Sequence, residues 1–249
     1  QRIALVIEGA LWSYDLASGE LLALESGVAQ VRNLQASPDG RRLAFTSGGP
    51  ASSYQHAFMG DGSLWMRDAD APAGSPSVQV YGDADPKKAV ERFEWSADGR
   101  RIALLEADNS PVREREIHYY LDGELKIDRL ARAFPGEPVT RRRMGVLDLA
   151  SGDLRWLQLD DAESAVWDFG LSNDGSRLFT LTSDRLVKHP KVHVHDVETG
   201  NRAVFHERKD PGNVVPGWRA AWAPDDNGLV ILSDHEGYYH LYHVPEAGA

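Results

Sequence analysis

Apolar runs of strand length, separated by phrases that suit tight turns, fill this chain from end to end. It opens on Gln1-Arg-Ile-Ala-Leu-Val-Ile7, and later runs end at Phe45, Leu105, Leu181 and Leu232. Each of those four follows one phrase: Ser37-Pro-Asp-Gly40, Ser96-Ala-Asp-Gly99, Ser172-Asn-Asp-Gly175 and the degraded Ala223-Pro-Asp-Asp226. Asp-Gly between apolar segments predicts a hairpin, because glycine accepts the positive φ of a tight turn without steric cost. A second phrase interleaves with the first: Asp15-Leu-Ala-Ser-Gly19, Asp148-Leu-Ala-Ser-Gly152 and Asp196-Val-Glu-Thr-Gly200. Here the aspartate can bond its own turn, and the glycine again supplies a left-handed residue.

The predicted unit is strand, Asp-Gly turn, strand, connection, strand, Asp-x-x-x-Gly turn, strand. Successive Asp-Gly phrases lie further apart than the roughly 40–50 residues of one propeller blade, so the blades carry insertions. The fold expected is all-β: a β-propeller of four-stranded antiparallel blades, a partial ring of about four to five blades from a larger propeller. Residues 1–249 read as a single propeller segment with one large insertion, at about 106–143. Helical periodicity is weak throughout; Ile117–Ala133 admits a short helix that Asp122-Gly123 interrupts. A long excursion from a compact repeat is usually functional, so this insertion is the first place to seek partner or substrate contacts. The tryptophans at 12, 65, 95, 156, 167 and 222 suit wedges between blades.

Composition narrows the function classes. A net charge of −11 argues against nucleic acid as a partner. The absence of cysteine removes thiol chemistry and disulfides, and leaves the redox compartment open. No apolar run is long enough to cross a bilayer. A soluble protein is expected, whether cytoplasmic, periplasmic or extracellular. With no initiator methionine, the chain reads as beginning inside a larger protein. In Val192-His-Val-His195 the alternation of a strand puts both imidazoles on one face. Such a pair can chelate a metal, but no third ligand is fixed by spacing; the expectation is a polar outer face, no metal and no cofactor. Arg141-Arg-Arg143 reads as a solvated strand edge.

From Phe93 onward the order of motifs resembles the N-terminal propeller of the dipeptidyl peptidase IV branch of the prolyl oligopeptidase family of serine peptidases. The likeness rests on Phe93–Val112, Phe134-Pro-Gly-Glu-Pro-Val139, Met144–Trp156 and Leu232-Ser-Asp-His-Glu-Gly-Tyr-Tyr-His-Leu-Tyr242. It implies a propeller that caps a C-terminal α/β-hydrolase domain, absent from this chain, and filters peptide substrates. The expected partners are therefore peptides and that hydrolase domain, with a homo-oligomer as a further expectation. No Gly-x-Ser-x-Gly nucleophile elbow occurs. Leu11-Trp-Ser-Tyr-Asp15 imitates one without its glycines, so Ser13 is expected in an ordinary strand and no catalytic residue is assigned.

The resemblance also implies a paired glutamate that holds a substrate's α-amino group by charge-assisted bonds. This chain has Tyr81-Gly-Asp-Ala-Asp-Pro-Lys-Lys88 in its place, which makes Asp83 and Asp85 the candidates and leaves strict dipeptidyl specificity open against an oligopeptidase or acylaminoacyl-peptidase. Trp218 and Arg219 follow a Pro/Gly-rich stretch and are the further candidates for peptide contact at the ring mouth, with core plus surface as their other reading. The competing class is a free-standing propeller of the TolB kind that binds proteins and catalyses nothing.

Overall fold

The computed structural model describes residues 2–24, 27–28, 30–47, 62–82, 85, 87–121, 123–207, 217–234 and 236–245. Among them every regular element is a strand. The first sheet joins β1 (Arg2–Ile7), β2 (Ala10–Asp15) and β3 (Leu21–Ala23). The second joins β4 (Val31–Ala36), β5 (Arg42–Ser47), β6 (Leu64–Asp68) and β7 (Val78–Tyr81). Next come β8 (Lys88–Trp95) and β9 (Arg101–Asp108), then a separate hairpin of β10 (Glu114–Leu121) and β11 (Glu124–Ala131). The third sheet is completed by β12 (Arg141–Asp148) and β13 (Leu154–Leu157). The fourth holds β14 (Ala165–Leu171), β15 (Arg177–Ser183), β16 (Lys191–Asp196) and β17 (Arg202–Glu207). The fifth holds β18 (Arg219–Trp222), β19 (Leu229–Ser233) and β20 (His240–Val244). Within each sheet, strands pair in the order in which they occur along the chain. These are the antiparallel blades of a β-propeller, as the turn phrases predict.

The turns form for the reasons the sequence suggests. Ser172 is fully buried, and its hydroxyl donates to Asp174 Oδ1 at 2.6 Å while accepting the Arg177 amide at 3.0 Å. Gly175 closes the turn at φ +69°. Ser37 with Asp39, and Ser96 with Asp98, repeat these bonds at the same 2.6 Å. In the second phrase Asp15 Oδ1 accepts the amides of Ala17 and Ser18, and Asp148 and Asp196 do likewise in their own turns. The degraded copy keeps its shape with Asp226 at φ +57° in the glycine position. Its carboxylate is used: both oxygens accept the Asn173 amide of the preceding blade's turn, at 2.9 and 3.0 Å.

Contacts divide the chain into two compact units, Gln1–Glu91 with Ala107–Arg141, and Arg92–Glu106 with Arg142–Ala249. The first is centred on Leu11, Leu24, Val31, Leu43 and Phe45, all buried. In the second, one core lies around Leu105, Met144, Phe169 and Leu178, and another around Phe179, Leu181, Trp218 and Ile231. In this second unit the basic residue after the Asp-Gly phrase links neighbouring turns. Arg101 donates to the carbonyl of Gly175 at 2.8 Å, and Arg177 to that of Asp226 at 2.9 Å. Those two carbonyls occupy equivalent places in successive repeats.

Three expectations change, the first being that Arg141-Arg-Arg143 opens β12, which lies between β13 and β9 and not at the edge of its sheet. The segment Glu114–Ala131 is a hairpin of two eight-residue strands, not a short helix. Its strands pair in continuous register from Glu114 with Ala131 to Leu121 with Glu124. His193 and His195 do share a strand face, but that face is buried, at 3% and 0% exposure. Val192 on the opposite face is equally buried. Both faces of this strand are covered, so alternation there separates two packed surfaces rather than core from solvent.

Candidate functional site

The third and fourth sheets are four-stranded meanders, so both of their tight turns fall at one end and the longer connections at the other. The insertion leaves the third sheet at that second end, between β9 and β12. Its base is fixed by a compact set of contacts. Arg115 Nη2 donates to both Glu137 carboxylate oxygens at 2.6 Å, and its guanidinium lies 3.8 Å over the Phe134 ring. Glu137 Oε2 accepts the Phe134 amide, and the Arg115 bonds hold this carboxyl below its ordinary range. The Phe134-Pro-Gly-Glu-Pro138 loop is thus folded onto Arg115. Thr140 adds a bond to Asn109 at 2.7 Å. Beyond this base the hairpin carries exposed Tyr120, Leu125 and Ile127.

Asp85 sits in the connection into β8, at the foot of the same insertion. Its Oδ1 accepts the Lys87 amide at 2.9 Å, and Ser110 donates its hydroxyl to Oδ2 at 3.4 Å. The Ser110 amide bonds Asp108 Oδ1, so two carboxylates converge on one serine. Burial opposes ionisation of Asp108, yet the Ser110 bonds and the charges of Lys88 and Arg141 hold its pKa down. Lys87 directs its ammonium to Glu114 at 3.7 Å. Asp83 lies outside the described residues.

Trp218 and Arg219 belong to the other compact unit and have opposite characters. Trp218 is 2% exposed, and its indole N–H donates to Asp234 Oδ1 at 2.9 Å. It is a core residue. Arg219 is exposed, and its Nη1 donates to the Trp218 carbonyl at 2.7 Å. Ser13 lies inside β2, paired with Ala4 and Leu22, and so has no elbow geometry.

Sequence reasoning missed one carboxylate that gathers basic side chains from two strands. Asp160, in the connection between β13 and β14, receives Arg202 at 2.9 Å and Lys191 at 3.2 Å, with His193 at 3.5 Å. Burial works against its charge, but these cations outweigh burial and keep its pKa low. No local pattern announces it, since its partners lie in β16 and β17. Behind it, His195 Nε2 meets Thr180 Oγ1 at 3.0 Å, while Nδ1 is buried without a partner. Among the described residues no three His, Asp or Glu side chains converge as a metal centre requires. Among the same residues no helix is long and apolar enough to cross a membrane.

No curated protein matches the chain. Solved structures do. A protein of Bacteroides ovatus described as a dipeptidyl aminopeptidase IV superposes with a TM-score of 0.70 at 16% identity, over 98% of this chain and 34% of that one. Dipeptidyl peptidase 4 of Porphyromonas gingivalis gives 0.65 at 16% identity, over 100% of this chain and 44% of that one. An oligogalacturonate lyase of Vibrio parahaemolyticus gives 0.59 at 17% identity, over 96% and 56%. At such identities the likeness is one of fold, and the chain spans less than half the length of the two peptidases. The model of the dipeptidyl peptidase IV N-terminal region matches residues 88–249, which hold the third, fourth and fifth sheets with the insertion, and the chain belongs to that family.

Proposed function

We propose that this chain is the noncatalytic propeller portion of a prolyl oligopeptidase-type serine peptidase, and that it gates peptide access and shapes the substrate pocket. One observation carries the reading: family membership over residues 88–249 coincides with an insertion whose base is rigidly folded at the long-connection end of its blade. A filter needs a fixed rim, and the Arg115–Glu137–Phe134 contacts supply one. In this reading Asp83 and Asp85 offer carboxylates to a substrate amino group. Arg219 offers an exposed cation, and the buried Trp218 positions the backbone that presents it. The nucleophile, the general base and the oxyanion donors would all come from a hydrolase domain.

The test uses full-length protein from the natural gene, treated with a fluorophosphonate that labels active serines. Hydrolysis of Gly-Pro-, Ala-Pro- and acetyl-Ala-anilides is followed in parallel. Labelling with cleavage of the free-amine dipeptides is the expected result, and Asp85→Asn should then raise KM more than it lowers kcat. Cleavage of the blocked substrate alone would remove the amino-group role of Asp83 and Asp85. Neither label nor turnover would overturn the peptidase reading.

A further inference from the structure

The fourth sheet carries a cleft of about 500 Å³ at its long-connection end, within the size range of small-molecule sites. Asp160, Asp161, Ser164, Thr182, Asp184 and Lys191 are among the residues that line it. Asp160 is spent on Arg202 and Lys191, as described above. The rest of the lining keeps unused capacity of both signs.

Ser164 and Thr182 are 3% and 2% exposed, and among the described residues neither hydroxyl has a protein partner. Neither oxygen is among the buried unpaired atoms, so both hydroxyls reach the cleft, where a ligand can bond them. Asp184 uses Oδ1 on the amides of Lys188 and His189, leaving Oδ2 with only a 4.0 Å approach from His189. Asp161 uses Oδ1 on the Glu163 amide and leaves Oδ2 open. The Lys191 ammonium has three donors and gives one to Asp160. Lys191 is paired with Thr182 across β15 and β16, so the open hydroxyl and the ammonium are neighbours on one face.

A ligand bearing only a cation would make no use of the two Lys191 N–H donors that Asp160 leaves free, and one bearing only an anion would meet Asp161 and Asp184. We propose that this cleft binds a small zwitterion, an amino acid or short peptide with free ends. Its ammonium group faces Asp161 and Asp184, its carboxylate faces Lys191, and the Ser164 and Thr182 hydroxyls complete the shell. The site stands on this one sheet and needs neither a hydrolase domain nor the gating role.

Binding is read on the 249-residue chain by amide chemical-shift titration, with alanyl-alanine, its N-acetyl form, its C-terminal amide and free alanine as the probes. Alanyl-alanine should saturate and shift the amides of Ser164, Thr182 and Lys191, and each capped form should bind about tenfold weaker or worse. Saturation by free alanine as well would set the ligand at a single amino acid; its failure would set it at a peptide. Thr182→Val and Asp161→Asn should each weaken binding about tenfold, with the fold checked by the unchanged shifts of the fifth sheet. Equal binding of capped and uncapped dipeptides, or no saturable binding by any probe, would overturn the proposal. The peptidase reading is judged separately by active-serine labelling.

Discussion

The two ends of the fourth sheet are built on opposite rules. At the tight-turn end the turn phrases bond within a few residues: Ser172 serves Asp174 and Arg177, Asp196 serves Thr199, and glycines take the left-handed positions. That end repeats from blade to blade, and Arg101 and Arg177 tie successive copies together. At the other end no turn phrase recurs, and what repeats is a tryptophan bond, Trp167 to Ser183 and Trp218 to Asp234. There Ser164 and Thr182 hold hydroxyls without protein partners, and the β-branched Val187 sits at φ +59° where the turn end would place glycine. Satisfaction at one end and spare capacity at the other mark a division between what builds the sheet and what is left to bind.

The buried histidines between those ends give the largest expected effect. Burial first, then the nearby His193 and Arg202, push His195 down to about 4. The unfolded chain titrates this group near 6.5. Between those values the unfolded state binds the extra proton, so this contribution is complete above about pH 6.5 and is lost as pH falls toward 4. The loss comes to about 3 kcal/mol. A histidine ring-proton titration should show His195 unmoved until below about pH 5; a midpoint near 6.5 would mean that the pair is not buried as described.

Next in size is the turn serine. Ser172→Ala removes three hydrogen bonds from a fully buried site and should cost about 2 kcal/mol in urea unfolding. Ser164→Ala, equally buried but unpaired, should stay within about 0.5 kcal/mol of the parent. Similar costs for both would erase the contrast. The acid limb adds to this comparison. Bonds from Ser172 and Ser176 hold Asp174 at about 2, so its share of stability is present above about pH 4 and fades as pH falls through 2. Asp174→Asn should flatten that limb in an acid-unfolding curve.

The smallest effects concern the backbone. Gly175→Ala places a side chain at φ +69° and should cost about 1–2 kcal/mol. Val187→Gly relieves the same geometry at the other end. It should gain about 0.5 kcal/mol after the added chain entropy is deducted, measured by thermal unfolding. A loss on Val187→Gly would show that the valine side chain stabilises that loop.

How far the sequence could be read follows the range of the interactions. Ser-x-Asp-Gly and Asp-x-x-x-Gly act within five residues, so turns, strands and fold class are all legible. Asp160 is not, because Lys191 and Arg202 reach it from other strands. Alternation placed His193 and His195 on one face without saying which face was buried, since neighbouring sheets can cover both. The hairpin at Glu114–Ala131 mixes charged and aromatic residues on both faces, which blurs its period; only Asp122-Gly123 marks it. For the candidate site, Asp85 lies at the insertion's foot, whereas the indole of Trp218 is core, because Phe179, Leu181 and Ile231 from other strands pack with it.

The most direct test of the division between ends is one paired measurement: urea unfolding and alanyl-alanine titration on Ser172→Ala and Thr182→Val side by side. The account predicts a crossed result. Ser172→Ala loses about 2 kcal/mol of stability and keeps the dipeptide affinity, while Thr182→Val keeps its stability and binds about tenfold more weakly. If both variants lose stability together, or neither alters binding, the two ends do not divide the labour and the account fails.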